Sequence, residues 1–172
     1  MRTVYVDKNA TTKVAEEVLE EMKPFFCELY GNPSSMHTFG GQTGQRIRQA
    51  REQVAGLLGC DPSEIIFTSC GTESDNTAIK GVLEAMPNRR KVITTRVEHP
   101  AVLSVCRSLE NHGFKVVELP VNREGQIDLA QLEKEIDDDT ALVTIMYANN
   151  ETGVMFPIEK ISEITAEKGV VF

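Results

Sequence analysis

From residue 64 onward, short apolar runs alternate with longer stretches whose apolar residues recur at helical spacing. The runs 64–68, 91–95, 115–119 and 141–147 read as strands. The stretches 74–85, 100–112, 128–136 and 158–168 read as helices, and a further strand begins at 170–172. Strands that are apolar along their whole length are buried on both faces, and a mostly parallel sheet with helices on both sides buries them so. A sheet with one face in water would alternate apolar with polar residues instead. The predicted class is α/β.

The first sixty residues read as helices and loops. Between Val14 and Phe26 the apolar residues fall at 14, 18, 19, 22, 25 and 26, a helical period. Gly31-Asn32-Pro33-Ser34-Ser35 interrupts it, and the next helix, with Gly40, Gly41 and Gly44 near its start, runs through Ile47, Ala50, Val54 and Leu57-Leu58 to Gly59. The 172 residues hold no repeat, no low-complexity tract and no linker, so no internal boundary is predicted.

Net charge is −8, from 26 acidic and 18 basic residues, which argues against a nucleic-acid-binding domain. The cysteines at 27, 60, 70 and 106 form no C-x-x-C pair and have no histidine at zinc-ligand spacing. They read as reduced thiols of a cytoplasmic protein, with no metal site. Residues 1–7 lack a signal-peptide core, and no apolar run approaches the roughly 18 residues of a membrane span.

Chemistry-bearing residues cluster after three of the strands. Gly71-Thr72 follows strand 64–68 where helix 74–85 begins, and a helix N-terminus offers free N–H groups and a positive dipole end to an anion such as phosphate. Ser74 and Asp75 could instead simply cap that helix. There is no Walker lysine and no G-x-G-x-x-G, which removes the nucleotide-binding patterns, a nicotinamide oxidoreductase included. His99 precedes Pro100 at the same predicted edge; it could stack on a flat ligand or move protons, although on its own a capping or surface histidine is the simpler reading. Asn149-Asn150 follows strand 141–147, where an amide suits a phenolic oxygen or a carboxylate, and where a turn would favour Asn as well. Cys70 reads as a small buried thiol beside a turn, Cys106 as core, His112 as a partner of a helix C-terminus, and His37 is left open.

Five segments then appear in a familiar order: Asp7-Lys8-Asn9-Ala10-Thr11-Thr12, Gly31-Asn32-Pro33-Ser34-Ser35-Met36-His37, Phe67 through Ser74, Glu98-His99-Pro100-Ala101-Val102-Leu103, and Asn149-Asn150-Glu151-Thr152-Gly153. In this the chain resembles the cysteine desulfurases, pyridoxal-phosphate (PLP) enzymes of the class V aminotransferase group, and most of all their nitrogen-fixation NifS branch. Lys8, where many members carry Asn, is the one visible departure. The resemblance implies the large domain of PLP fold type I. By it Gly71 and Thr72 hold the cofactor phosphate, His99 stacks on the ring and helps move protons, and Asn150 lies near the phenolic oxygen. Asn9-Ala10-Thr11 and Gly31–Ser35 border the substrate entrance.

It further implies L-cysteine as substrate, an iron–sulfur scaffold protein as sulfur acceptor, nitrogenase maturation as the setting and a homodimer as the assembly. A selenocysteine lyase, an aminotransferase of the same class, or a non-catalytic truncated partner protein are the alternatives. In the family the strand begun at Gly169 continues to an aspartate for the pyridinium nitrogen, and the imine lysine, the small domain and the persulfide cysteine follow. None lies within residues 1–172, so the chain reads as roughly the first 40% of such an enzyme by the usual size of its domains, inactive alone.

Overall fold

The computed structural model describes residues 3–172. It forms two compact units, one ending at Phe67 and one from Thr68 to Phe172.

In the first unit the predicted helix of residues 14–26 is two pieces, α1 (Glu16–Met22) and α2 (Pro24–Cys27). Pro24 has no N–H to donate back to Glu20, which breaks the ladder there. Next comes α3 (Thr38–Leu58). His37 is its N-cap, its Nδ1 accepting the Gly40 amide at 3.1 Å, and Gly59 closes it in the left-handed conformation at φ 72°. The loop of residues 31–35 crosses this helix start closely: a Cβ on Gly40 would stand 2.8 Å from Ser35 Cβ, so only glycine fits. A short 3₁₀ turn, Pro62–Glu64, follows behind an Asp61/Glu64 capping box.

Residues 65–68, predicted as a strand, join no strand ladder among the described residues, and Ile66 is 72% exposed. A strand exists only through its ladder partner, and apolar composition alone supplies none.

The second unit holds α4 (Gly71–Ala85), β1 (Lys91–Thr95), α5 (Pro100–Glu110), β2 (Lys115–Leu119), α6 (Leu129–Glu135), β3 (Thr140–Val143) and α7 (Ile158–Glu167). The strands pair in parallel in the order β2-β1-β3, with Ile93 beside Val117 and Val143. The α/β prediction holds. Because side chains alternate along a strand, Val92 and Leu142 face one way, into a core with Ile79 and Leu83 of α4 and Val102, Val105, Cys106 and Leu109 of α5. Ile93, Val143 and Leu119 belong to the opposite core, packed with Leu132 of α6, Ile161 of α7 and Phe156. Each of these buried aliphatic side chains stabilises the fold by about 1.5–3 kcal/mol.

Helix α4 begins three residues earlier than predicted, at Gly71. β3 ends at Val143, although Thr144 still donates to Ile93 O at 2.9 Å and Val143 to Val171 O at 2.9 Å, so residues 170–172 lie alongside as a bridge rather than a strand. The predicted continuation to residue 147 is diverted because the Met146 amide donates to the side chain of Glu98 and not to a neighbouring strand.

Candidate functional site

All strand ends of a parallel sheet point the same way, so the residues after β1 and β3 share its carboxyl edge. Those residues are His99 and Asn149-Asn150. The C-terminus of α4 leads into Lys91, at the opposite edge, which carries the N-terminus of α4 to the carboxyl edge. The negative charge of Asp75, in the second turn of α4, is felt at Glu98, beside His99. Fold and electrostatics thus bring Gly71, Thr72, His99 and Asn150 to one edge of one unit. Asn9–Thr11 and Gly31–Ser35 belong to the other unit; there Tyr5 Oη donates to Thr11 O at 3.1 Å, and the Ser34 amide to Asn32 Oδ1 at 2.9 Å.

The start of α4 is open. Among the described residues, nothing beyond its chain neighbours and its own helix backbone lies within 4 Å of where a Cβ on Gly71 would be, and Gly71 through Ser74 are exposed. Ser74 makes the first helical bond, to Cys70 O at 3.1 Å, so the amides of Gly71, Thr72 and Glu73 have no carbonyl of the helix to bond. Neither Ser74 nor Asp75 caps the helix; Ser74 Oγ turns back to Thr68 Oγ1 at 2.6 Å. Glu73 folds its carboxylate onto Ser69, accepting from its amide at 2.7 Å and its hydroxyl at 2.6 Å, which holds that carboxyl below the usual range.

Cys70, expected buried, is exposed. As the extended residue ahead of α4 it lies outside the apolar stripe of Ile79 and Leu83, so nothing covers it. The Glu73 amide above all, then the Ser69 hydroxyl, hold its thiol below the ordinary range. Cys106 is core as predicted, its thiol pushed up to about 11 by burial.

His99 is the N-cap of α5, its Nδ1 accepting the Ala101 amide at 3.1 Å. Pro100, pre-set for a first helical turn, follows it. With Nδ1 occupied as an acceptor, Nε2 is the ring atom left to bear a proton or meet a ligand. His112 accompanies the end of α5 as expected, Nδ1 lying 2.9 Å from Ser108 O.

Asn150 is exposed and donates from Nδ2 to Glu151 Oε1 at 3.1 Å. Its neighbour Asn149 is buried and organises the loop: Oδ1 accepts the amides of Glu151 at 3.0 Å and Thr152 at 2.9 Å and the Thr152 hydroxyl at 3.1 Å. Its Nδ2 crosses to Val97 O at 3.0 Å.

Glu98 is the residue that reading the sequence for chemistry passed over, and Asn149 was read there only beside Asn150 as a ligand-facing amide, not as the organiser of the loop. A carboxylate directly before a candidate histidine was the available signal. Glu98 is only 7% exposed; burial raises its carboxyl above the usual range against the opposing pull of the Met146 and His99 amides. Among the described residues no group of three or more His, Cys, Asp or Glu is placed to hold a metal ion, and no helix is long and apolar enough to cross a membrane.

An open helix N-terminus, a histidine and an amide loop thus lie on one edge of a parallel sheet. The chain belongs to the aminotransferase class V family, which it matches over residues 4–172. It is 60% identical over 172 residues to a cysteine desulfurase of Trichormus azollae, a match spanning 100% of this chain and 43% of that protein. It is 51% identical over 173 residues to the cysteine desulfurase NifS of Azotobacter vinelandii, again 100% of this chain and 43% of the relative. Among solved structures it superimposes on a NifS-like protein with a TM-score of 0.92 at 49% identity, over 96% of this chain and 46% of the other. The chain therefore spans well under half the length of these relatives.

Proposed function

We propose that these residues form the phosphate and ring-facing part of a PLP site in a cysteine desulfurase of the NifS type. Class V aminotransferases and cysteine desulfurases are PLP enzymes, and the donor set fits: the uncapped amides of Gly71 and Thr72, with the Thr72 hydroxyl, suit a dianionic phosphate. When bound, PLP supplies an electron sink that the protein must orient. His99, held by its cap, would present Nε2 and its ring face to the cofactor and substrate and move protons there. Asn150 would offer its amide to the phenolic oxygen or the substrate carboxylate.

In the proposed reaction the C–S bond of L-cysteine breaks, L-alanine is released and the sulfur passes to an acceptor thiol as a persulfide. An iron–sulfur scaffold protein, in nitrogenase maturation, is the proposed destination; a cytoplasmic homodimer is the proposed assembly. The imine lysine is not expected among residues 1–172: Lys91 and Lys115 start strands at the far edge of the sheet and Lys80 lies mid-helix.

The observation that carries this reading is the open, uncapped start of α4 beside His99 and Asn150. Titrating PLP into the chain and following its absorbance tests it. Weak, reversible binding is expected, competed by inorganic phosphate and weakened about tenfold by Thr72→Ala, the value of one charge-assisted hydrogen bond of about 1.5 kcal/mol. Binding indifferent to both phosphate and Thr72→Ala would remove the cradle. A specific PLP–lysine adduct within residues 1–172, trapped by borohydride and mapped, would contradict the assignment of the imine lysine.

A further inference from the structure

Two hydrogen bonds join the loop after β1 to the loop after β3, and both are made by buried side chains outside the proposed cofactor contacts. Glu98 accepts the Met146 amide, and Asn149 Nδ2 donates to Val97 O at 3.0 Å. Each bond runs in the opposite sense: a carboxylate of the first loop holds the backbone of the second, and an amide of the second holds the backbone of the first. The residues immediately following the two anchors are His99 and Asn150. Both anchors are buried, Glu98 at 7% and Asn149 at 9% exposure, whereas His99 and Asn150 stand exposed at the edge.

We propose that Glu98 and Asn149 are positioning residues, a two-bond clasp that fixes the imidazole of His99 and the amide of Asn150 relative to one another. The proposal rests on the reading of this edge as the cofactor site. Hydrogen bonds made on one loop alone would orient each residue but not the pair. His99 is tied to α5 through Ala101, and Asn149 Oδ1 shapes the turn of residues 149–152; neither contact reaches the other loop. Without the clasp the separation of the two groups is left to loops, and displacements of about 1 Å in positioning a reacting group cost on the order of a hundredfold in rate.

The cost of the arrangement supports a purpose. Glu98 is desolvated and lies within the field of Asp75, both unfavourable to its charge, and among the described residues no lysine or arginine pairs with it. An apolar side chain would pack in this place without that penalty, but could not hold the Met146 amide.

Three variants separate clasp from scaffold. Glu98→Ala removes the first bond, and Glu98→Gln keeps an acceptor for Met146 while losing the charge. Asn149→Asp keeps Oδ1 for Glu151 and Thr152, loses the Nδ2 donor to Val97 O and to Met146 Sδ, and brings a carboxylate oxygen in its place. Amide exchange in this chain reads the clasp itself: Glu98→Ala should speed exchange at Met146 tenfold or more, Glu98→Gln should restore it, and amides of β1 should be unchanged. The full-length holoenzyme reads the consequence. The absorption maximum of bound cofactor should shift and kcat fall about tenfold in Glu98→Ala and Asn149→Asp, with KM within twofold and Glu98→Gln close to the parent.

Unchanged Met146 exchange in Glu98→Ala would overturn the clasp. Faster exchange with unaltered spectrum and kcat would overturn the positioning role. If Glu98→Ala does not fold, Asn149→Asp decides by cofactor spectrum and kcat. A parent holoenzyme that shows no cofactor band would instead sink the PLP reading, while the exchange experiment still judges the clasp.

Discussion

Lys91 opens β1 with its side chain only 3% exposed, an unusual place for an ammonium group. Its Nζ donates to Asp137 Oδ2 at 2.9 Å and to the carbonyl of Glu135, the last residue of α6, with Glu135 Oε2 at 3.9 Å. It thus binds the negative end of α6 to the start of the sheet. The perturbation we choose is Asp137→Asn. Asn keeps the Oδ1 acceptor that Thr140 Oγ1 uses at 3.0 Å and the Asp139 amide at 3.2 Å, but turns an NH₂ toward the ammonium.

At 2.9 Å and an effective dielectric constant of about 20, the lost attraction is roughly 6 kcal/mol gross. Because the Lys91 charge stays buried, severing such a pair costs about 3–5 kcal/mol; the Asp137 side chain is 54% exposed, and screening brings the expected loss to about 2–3 kcal/mol. Lys91→Met should cost only about 1 kcal/mol, since it removes the charge that would otherwise be stranded and leaves one carbonyl underused. In the Lys91→Met background, Asp137→Asn should then be nearly neutral, a coupling of about 2 kcal/mol.

Urea unfolding followed by circular dichroism measures all four chains. Donation from Lys91 is the main reason the Asp137 carboxyl lies below the usual aspartate value. Its stabilisation is therefore complete above that value and lost as pH falls through the lowered one, and Asp137→Asn should flatten this part of the acid limb. Additive single effects, or an Asp137→Asn loss below about 1 kcal/mol, would refute the reasoning.

Thr94 Oγ1 is fully buried with no partner among the described residues, so Thr94→Val should stabilise the chain by about 1 kcal/mol in the same assay; a loss of that size would show that the hydroxyl is bonded. Gly40→Ala should destabilise by about 1–3 kcal/mol, read in the same melts, because its methyl would meet Ser35 and the backbone of Asn32. Iodoacetamide at pH 8, with peptide mass spectrometry, should label Cys70 at its lowered thiol and leave Cys106, at about 11 and buried, unmodified until unfolding; labelling at equal rates would contradict both placements.

Much of this protein is legible in residue order. The α/β class, β1 and β2 to the residue, and helix ends within three residues follow from periodicity and from Pro100, because burial on one stripe or on both faces writes itself into spacing. The family too is carried by the five segments. What order alone could not decide are the facts that depend on a distant partner. Residues 65–68 have the composition of a strand and no ladder partner among the described residues. Residues 144–147 leave their strand because Glu98, 48 positions from Met146, takes the amide. Cys70 looks like filler until the fold leaves it uncovered. The same holds at the site: the open start of α4, His99 and Asn150 were each nameable from local spacing. Only tertiary structure shows that two of their loops are held together by Glu98 and Asn149, since a hydrogen bond between segments some fifty residues apart leaves no period in the chain.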